Sequence, residues 1–182
     1  MSWNASIKHF SCPGMRASTI ACGWVSASSS VIALNLSNFL FFGTLHGINF
    51  SLLPNLDTVK FRNNTLYRNI PPSITSLSKL TVLDLNNNLL SGNIPPSLGR
   101  VTSLRLLDLA GNSFSGSIPG SIGSLQNLMF LYLQENMISG SIPSEIGNLN
   151  SLQDLFLQPN SLTGSIPGTI GNMTSLAKLW FQ

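Results

Sequence analysis

The chain has little charge. Of its 182 residues 8% are Asp, Glu, Lys or Arg, against about 25% in ordinary globular proteins. Ser, Thr and Asn supply the hydrophilic surface instead, which suits an exported, glycosylated protein better than a cytosolic one. The net charge of +3 comes from nine basic and six acidic residues, and no five basic residues cluster. No aromatic–basic run for nucleic acid is present either, so nucleic-acid binding is excluded as a main function. No segment approaches the roughly 18 apolar residues needed to cross a bilayer. The first residues, MSWNASIKHFSCPG, have no apolar core and do not read as a signal peptide.

Chemistry-bearing residues are equally sparse. There are two histidines, His9 and His46, isolated in sequence. No phosphate loop, kinase signature or metal-spaced Cys/His set occurs, so no catalytic residue, metal or cofactor is expected. Asp and Glu fall at variable positions and do not read as a facing acid pair. The two cysteines, Cys12 and Cys22, either pair with each other or remain two thiols.

What the chain has is a period. Leu56, Leu80, Leu104, Leu128, Leu152 and Leu176 stand 24 residues apart. Asn64, Asn88, Asn112, Asn136 and Asn160 keep the same stride, as do the Ile-Pro pairs from Ile70-Pro71 to Ile166-Pro167. Residues 104–127 show the unit in full, LRLLDLAGNSFSGSIPGSIGSLQN. Fixed self-similarity of this length means stacked coils.

The unit explains itself locally. LxxLxL alternates in period two through Leu107 and Leu109, so it forms a short strand with leucines on one face. Asn112 turns the chain, and its amide is expected to be buried and to satisfy backbone groups of neighbouring coils. Gly116 permits a bend. Pro119 lacks an N–H and favours an extended or turn conformation. Ile118, Ile122 and Leu125 return inward. One coil alone cannot bury enough apolar surface to offset ordering its backbone. Stacked coils cover both faces, so stability belongs to the array.

This motif, LxxLxLxxNxLxGxIPxxIGxLxx, resembles the plant-specific class of extracellular leucine-rich repeat over residues 31–182. The first coil, with Gly43-Thr44-Leu45, Asn49-Phe50-Ser51 and Leu53-Pro54-Asn55-Leu56, is similar to the start of MDIS-interacting receptor-like kinases. The resemblance implies a right-handed superhelical solenoid, a parallel β-sheet on its concave side and a second, smaller sheet around the LxGxIP arms. In that family a signal peptide precedes the repeats, and a membrane span and a Ser/Thr kinase follow. Neither export signal, anchor nor kinase reads from this sequence.

The resemblance divides the chain into a degenerate N-terminal cap, 1–30, and a solenoid, 31–182, of six coils plus a truncated seventh strand. Plant repeat receptors carry a Cys-x-Trp-x-Gly-x-x-Cys cap. Cys22-Gly23-Trp24-Val25 matches its first half, and Ser26 to Ser30 fill the stretch where the second cysteine would fall. Trp3 and Trp24 are expected to cover the edge of the first coil. Arg68 stands where the arm glycine belongs, Thr75 where the later glycine belongs, and Phe39 at the first coil's asparagine position. The chain stops one strand into a coil with no polar cap, which reads as a fragment with Leu176, Leu179 and Phe181 uncovered.

The outward positions of the strands form rows. The fifth position reads Asn35, Lys60, Asp84, Asp108, Tyr132, Phe156, Trp180, and Phe130 and Asp154 belong to the third. The seventh includes Arg62 and Gln134. At about 4.8 Å between strands, seven strands span roughly 29 Å, the length of an extended peptide of about eight or nine residues. Lys60 and Arg62 form a basic end, Asp84 and Asp108 an acidic stretch, and Tyr132, Phe156 and Trp180 an aromatic ladder beside Phe130. Exposed adjacent aromatics mark a binding patch.

The expected function is non-catalytic recognition of a peptide or protein ligand, with a co-receptor ectodomain as a further partner, by a plant receptor-like kinase or receptor-like protein ectodomain at the apoplastic face of the plasma membrane. Two alternatives stay open here. One is a secreted inhibitor resembling polygalacturonase-inhibiting proteins; the other is a non-functional truncated receptor product. Five N-x-S/T sequons, at Asn4, Asn35, Asn49, Asn63 and Asn172, are candidate N-glycosylation sites.

Overall fold

The computed structural model describes Thr19–Ile20 and residues 31–181. Cys12, Cys22, Asn4, Trp3 and Trp24, and with them the expected cap, lie outside the described residues.

Seven three-residue strands run Ala33–Asn35, Thr58–Lys60, Val82–Asp84, Leu106–Asp108, Phe130–Tyr132, Asp154–Phe156 and Lys178–Trp180. They form one parallel sheet in which each strand pairs with that of the next coil. The register is in step throughout. Leu34, Val59, Leu83, Leu107, Leu131, Leu155 and Leu179 stand side by side, each the central residue of its strand. From Val59 to Leu155 these side chains are fully buried. The period-two reading of LxxLxL is thus realised, with one inward leucine or valine and two outward residues per strand.

The arms build a second layer. Thr65–Arg68, Leu89–Asn93 and Ser113–Ser115 join Phe42–Gly43 and Thr19–Ile20 in a five-stranded sheet, and Ser139–Gly140 pairs with Ser161–Leu162. After each Ile-Pro pair the chain returns through a five-residue 3-10 turn, such as Pro96–Arg100 or Gly120–Ser124. Ile74, Leu98, Ile122 and Ile146 on these turns are buried. Leu176, Leu179 and Phe181 in the seventh coil are only partly buried.

Two glycine positions carry different demands. The arm glycines Gly92, Gly116, Gly140 and Gly164 have φ between +72° and +82°, a left-handed region that favours glycine. Arg68 occupies that place in coil two and adopts the same conformation, φ +70°. The later glycines are required by contact instead. A Cβ on Gly99, Gly123 or Gly147 would fall 2.2–2.4 Å from the carbonyl oxygen of Ser121, Glu145 or Thr169 in the next coil.

The repeated asparagines bond from coil to coil. In Asn136, Oδ1 accepts from Phe114 N–H at 2.9 Å, and Nδ2 donates to the carbonyls of Leu109, Leu133 and Gln134 at 3.0–3.2 Å. Asn64, Asn88, Asn112 and Asn160 make the same reach into the preceding coil. Burial differs from the expectation. Asn64 and Asn88 are buried, whereas Asn112, Asn136 and Asn160 are half-buried with only the amide bonds turned inward. In coil one, Phe39 takes the ladder position and is 51% exposed, its ring stacked on Phe41 at 5.6 Å.

A second amide ladder was not legible in the motif. Asn63 Nδ2 donates to Asn38 Oδ1 at 2.7 Å, and Asn87 Nδ2 to Asn63 Oδ1 at 2.9 Å. All three residues have φ of +55° to +64°, which asparagine tolerates better than most residues.

Candidate functional site

The open face of the seven-stranded sheet collects the outward residues. Because the register is in step, residues at one repeat position lie one strand apart, and the row Asn35, Lys60, Asp84, Asp108, Tyr132, Phe156, Trp180 is continuous.

At one end of the row Lys60 is half-buried and Arg62 exposed. Next to them Asp84 and Asp108 are direct register partners. One repeat position on successive coils is one strand spacing apart, so the two acids stand side by side as the acidic stretch of the row. Asp108 is recessed, 8% exposed, with Oδ1 accepting from Ala110 N–H at 3.0 Å and Asn86 Nδ2 at 3.2 Å. Burial pushes its pKa up to about 6, and the charge of Asp84 adds to the rise, while the bond from the Ala110 N–H opposes it. Burial also raises Asp84, against the Asn86 N–H bond and the charges of Arg62 and Lys60.

The other half of the face is aromatic. Ring centroids are 6.3 Å apart for Phe130–Tyr132, 5.1 Å for Tyr132–Phe156 and 5.4 Å for Phe156–Trp180. These are offset or tilted contacts at favourable spacing. Trp180 is 65% exposed and the other three rings are half-buried. The structure therefore brings Phe130, Tyr132, Phe156 and Trp180 together as one stacked strip.

Asp154 differs from the expectation of an open contact. It is 6% exposed, because Tyr132 Oη donates to its Oδ2 at 3.1 Å and Lys178 Nζ pairs with the same oxygen at 3.2 Å. Burial, that hydrogen bond and the charges of Asp154 and Asp108 together push the Tyr132 phenol up to about 12. Asp154 thus fixes the ladder from beneath. Gln134 is half-buried, and its Oε1 is the one buried side-chain oxygen or nitrogen without a hydrogen bond among the described residues.

Asn86 and Lys178 belong to the outward rows, but their bonds to Asp108 and Asp154 were not foreseen from the sequence. Asn86 sits at the seventh position and Lys178 at the third, so the stride alone contains the signal. No group of three or more His, Cys, Asp or Glu side chains that could hold a metal occurs among the described residues. No helix among them is long and apolar enough to cross a membrane.

This repeat geometry has known counterparts. A leucine-rich repeat region family matches residues 64–182, and the chain belongs to the leucine-rich-repeat family. Its coils are those of plant receptor-kinase ectodomains, as three solved structures show. The plant peptide hormone receptor RGFR1, in complex with RGF2, superposes with a TM-score of 0.78 at 39% identity, over 81% of this chain and 24% of that one. Pollen Receptor Kinase 3 gives 0.73 at 34%, over 81% of this chain and 71% of that one. The Arabidopsis receptor kinase HAESA, in complex with the peptide hormone IDA and the co-receptor SERK1, gives 0.69 at 28%, over 87% and 36%. The chain thus spans about a quarter to a third of the two peptide-bound receptors. No curated protein matches the sequence. The fold found is the leucine-rich-repeat fold of these receptor structures.

Proposed function

We propose that the chain recognises an extended peptide or protein segment on the open face of its seven-stranded sheet, on the outer side of the plasma membrane, as part of a plant cell-surface receptor. The observation that carries this reading is the stacked strip of Phe130, Tyr132, Phe156 and Trp180 continuing into the charged stretch of Asp108, Asp84, Lys60 and Arg62. The strip supplies apolar contact area at low entropic cost, since its rings already hold one another. The charged stretch supplies register and choice of partner. Asp154 holds Tyr132 in place.

Two structural relatives support the partner class, since RGFR1 was solved with RGF2 and HAESA with IDA and SERK1. A co-receptor ectodomain is accordingly a second partner for this chain. The Gly43-Thr44-Leu45 and Leu53-Pro54-Asn55-Leu56 runs of coil one support the narrower likeness to MDIS-interacting kinases.

The test is selection of random nine-residue peptides on the immobilised chain. Enriched peptides should bind with micromolar or better affinity and weaken at least tenfold on Phe156→Ala, about 1.4 kcal/mol. Peptides indifferent to both Phe156→Ala and Tyr132→Ala, or no enrichment at all, would remove this face as the recognition surface.

A further inference from the structure

We propose that Asn35 carries an N-linked glycan, and that this glycan closes the coil-one end of the sheet face so that the ligand seat begins at Lys60. The inference rests on the extracellular placement proposed above. Asn35-Leu36-Ser37 is a sequon, and its asparagine occupies an unusual place. It is the last residue of Ala33–Asn35, the outermost strand of that sheet among the described residues, and the direct register partner of Lys60. It therefore stands in the same outward row as the charged and aromatic residues of the face.

The geometry of Asn35 suits the modification. The residue is exposed, and Oδ1 takes the Ser37 N–H at 3.2 Å, a turn that presents the amide outward while Leu36 points into the core. Among the described residues Nδ2 donates to no acceptor, which leaves it for the sugar. Asn63 shows the contrast. It is half-buried, its Nδ2 donates to Asn38 and its Oδ1 accepts from Asn87, so its amide is committed to a ladder between coils. Asn49 and Asn172 are exposed as well but lie at the 3-10 turns, away from the strand face.

The consequence follows from spacing. A glycan is bulky and hydrated, whereas the next strand lies only about 4.8 Å away. Sugar on Asn35 overhangs Lys60 and takes up the first position of the row. The ligand is then confined to the six strands from Lys60 to Trp180, roughly 24 Å, or about seven extended residues. Its end is set beside Lys60 and Arg62 by a wall.

The experiment needs no ligand. The full chain is secreted from insect cells behind an export signal, and glycopeptides are sequenced. Lysines are then labelled with a small reagent, acetic anhydride, and a bulky one, a biotinylated active ester. Asn35 should be occupied, and the bulky reagent should label Lys60 several-fold more slowly than in Ser37→Ala, which removes the sequon but keeps Asn35. Lys178, at the far end of the face, should label equally in both. Asn35→Gln serves if Ser37→Ala is not secreted. An unmodified Asn35 in the folded secreted protein overturns the inference, and so does an occupied Asn35 with Lys60 labelled equally in both proteins. A protein that carries the glycan and shields Lys60 yet captures no peptide keeps this inference and refutes the recognition reading.

Discussion

Replacing Gly123 by alanine adds one methyl group, and the structure makes it a severe change. The new Cβ would lie 2.3 Å from the Glu145 carbonyl oxygen and 2.9 Å from that residue's carbonyl carbon and Cβ. The obstacle is backbone, so no side chain can swing aside. The coils cannot simply separate either, because Leu106–Asp108 and Phe130–Tyr132 are paired in register across the same coil junction. Overpacking of this kind costs about 1–3 kcal/mol, and the usual gain of about 0.4–1 kcal/mol from Gly→Ala in the unfolded chain offsets part of it. The proper control is Gly171→Ala, the same repeat position with nothing within 4 Å of the new Cβ, which should gain about 0.4–1 kcal/mol. Urea melts should therefore place the two variants about 1–3 kcal/mol apart, a midpoint difference on the order of 1 M at ordinary m-values. Two variants within about 0.5 kcal/mol of each other would show that the coils are spaced more loosely than the contact implies.

Asn136→Ala should cost about 1–3 kcal/mol in the same melts, since it strands the Phe114 N–H, while the Leu109, Leu133 and Gln134 carbonyls keep the bonds they accept from Asn112, Asn160 and Gly111; Ser113→Ala should be near neutral. Arg68→Gly should stabilise by about 0.5–1 kcal/mol: the left-handed backbone costs a side chain about 1–2 kcal/mol, and glycine's extra unfolded entropy returns part of that. An Arg68→Gly midpoint below wild type would show that the arginine stem packs usefully. Asp108, raised to about 6 in the folded chain from 3.8, binds more protons folded than unfolded between those values. Its contribution therefore makes stability fall as pH rises from about 4 to 6, by on the order of 1–3 kcal/mol, and Asp108→Asn should flatten that slope and be more stable at pH 7. Wild-type and Asp108→Asn melts with equal pH slopes would refute the assignment.

The strands, the inward leucines and the asparagine ladder were legible because each depends on one repeat position and its immediate neighbours. Gly116 could be read as a bend for the same reason. Gly123 looks identical in sequence, but its necessity lies in how closely the backbone of the next coil approaches at Glu145, which one unit read alone does not reveal. The Asn38–Asn63–Asn87 ladder escaped because it occurs only where three successive coils carry asparagine at a variable position. The face was legible as a list of positions but not as depths. Asp84 and Asp108 stand side by side with raised pKa, and Asp154 lies under Tyr132 and Lys178, because burial depends on what the neighbouring coil holds.

The asparagine bonds set a rule for how such a chain can change length. From Asn88 onward each ladder residue takes an N–H 22 positions back and gives to a carbonyl 27 positions back. For Asn64 the separations are 23 and 28. The extra residue of coil one was absorbed in its arm and return, between Phe41 and Asn64, and every bond re-formed. Whole coils can thus be gained or lost without breaking a partner, and single residues can enter the arms. A one-residue shift between Leu133 and Asn136 would displace every bond of that amide together. The ladder acts as a reading frame in space: it tolerates changes between its marks and forbids them within.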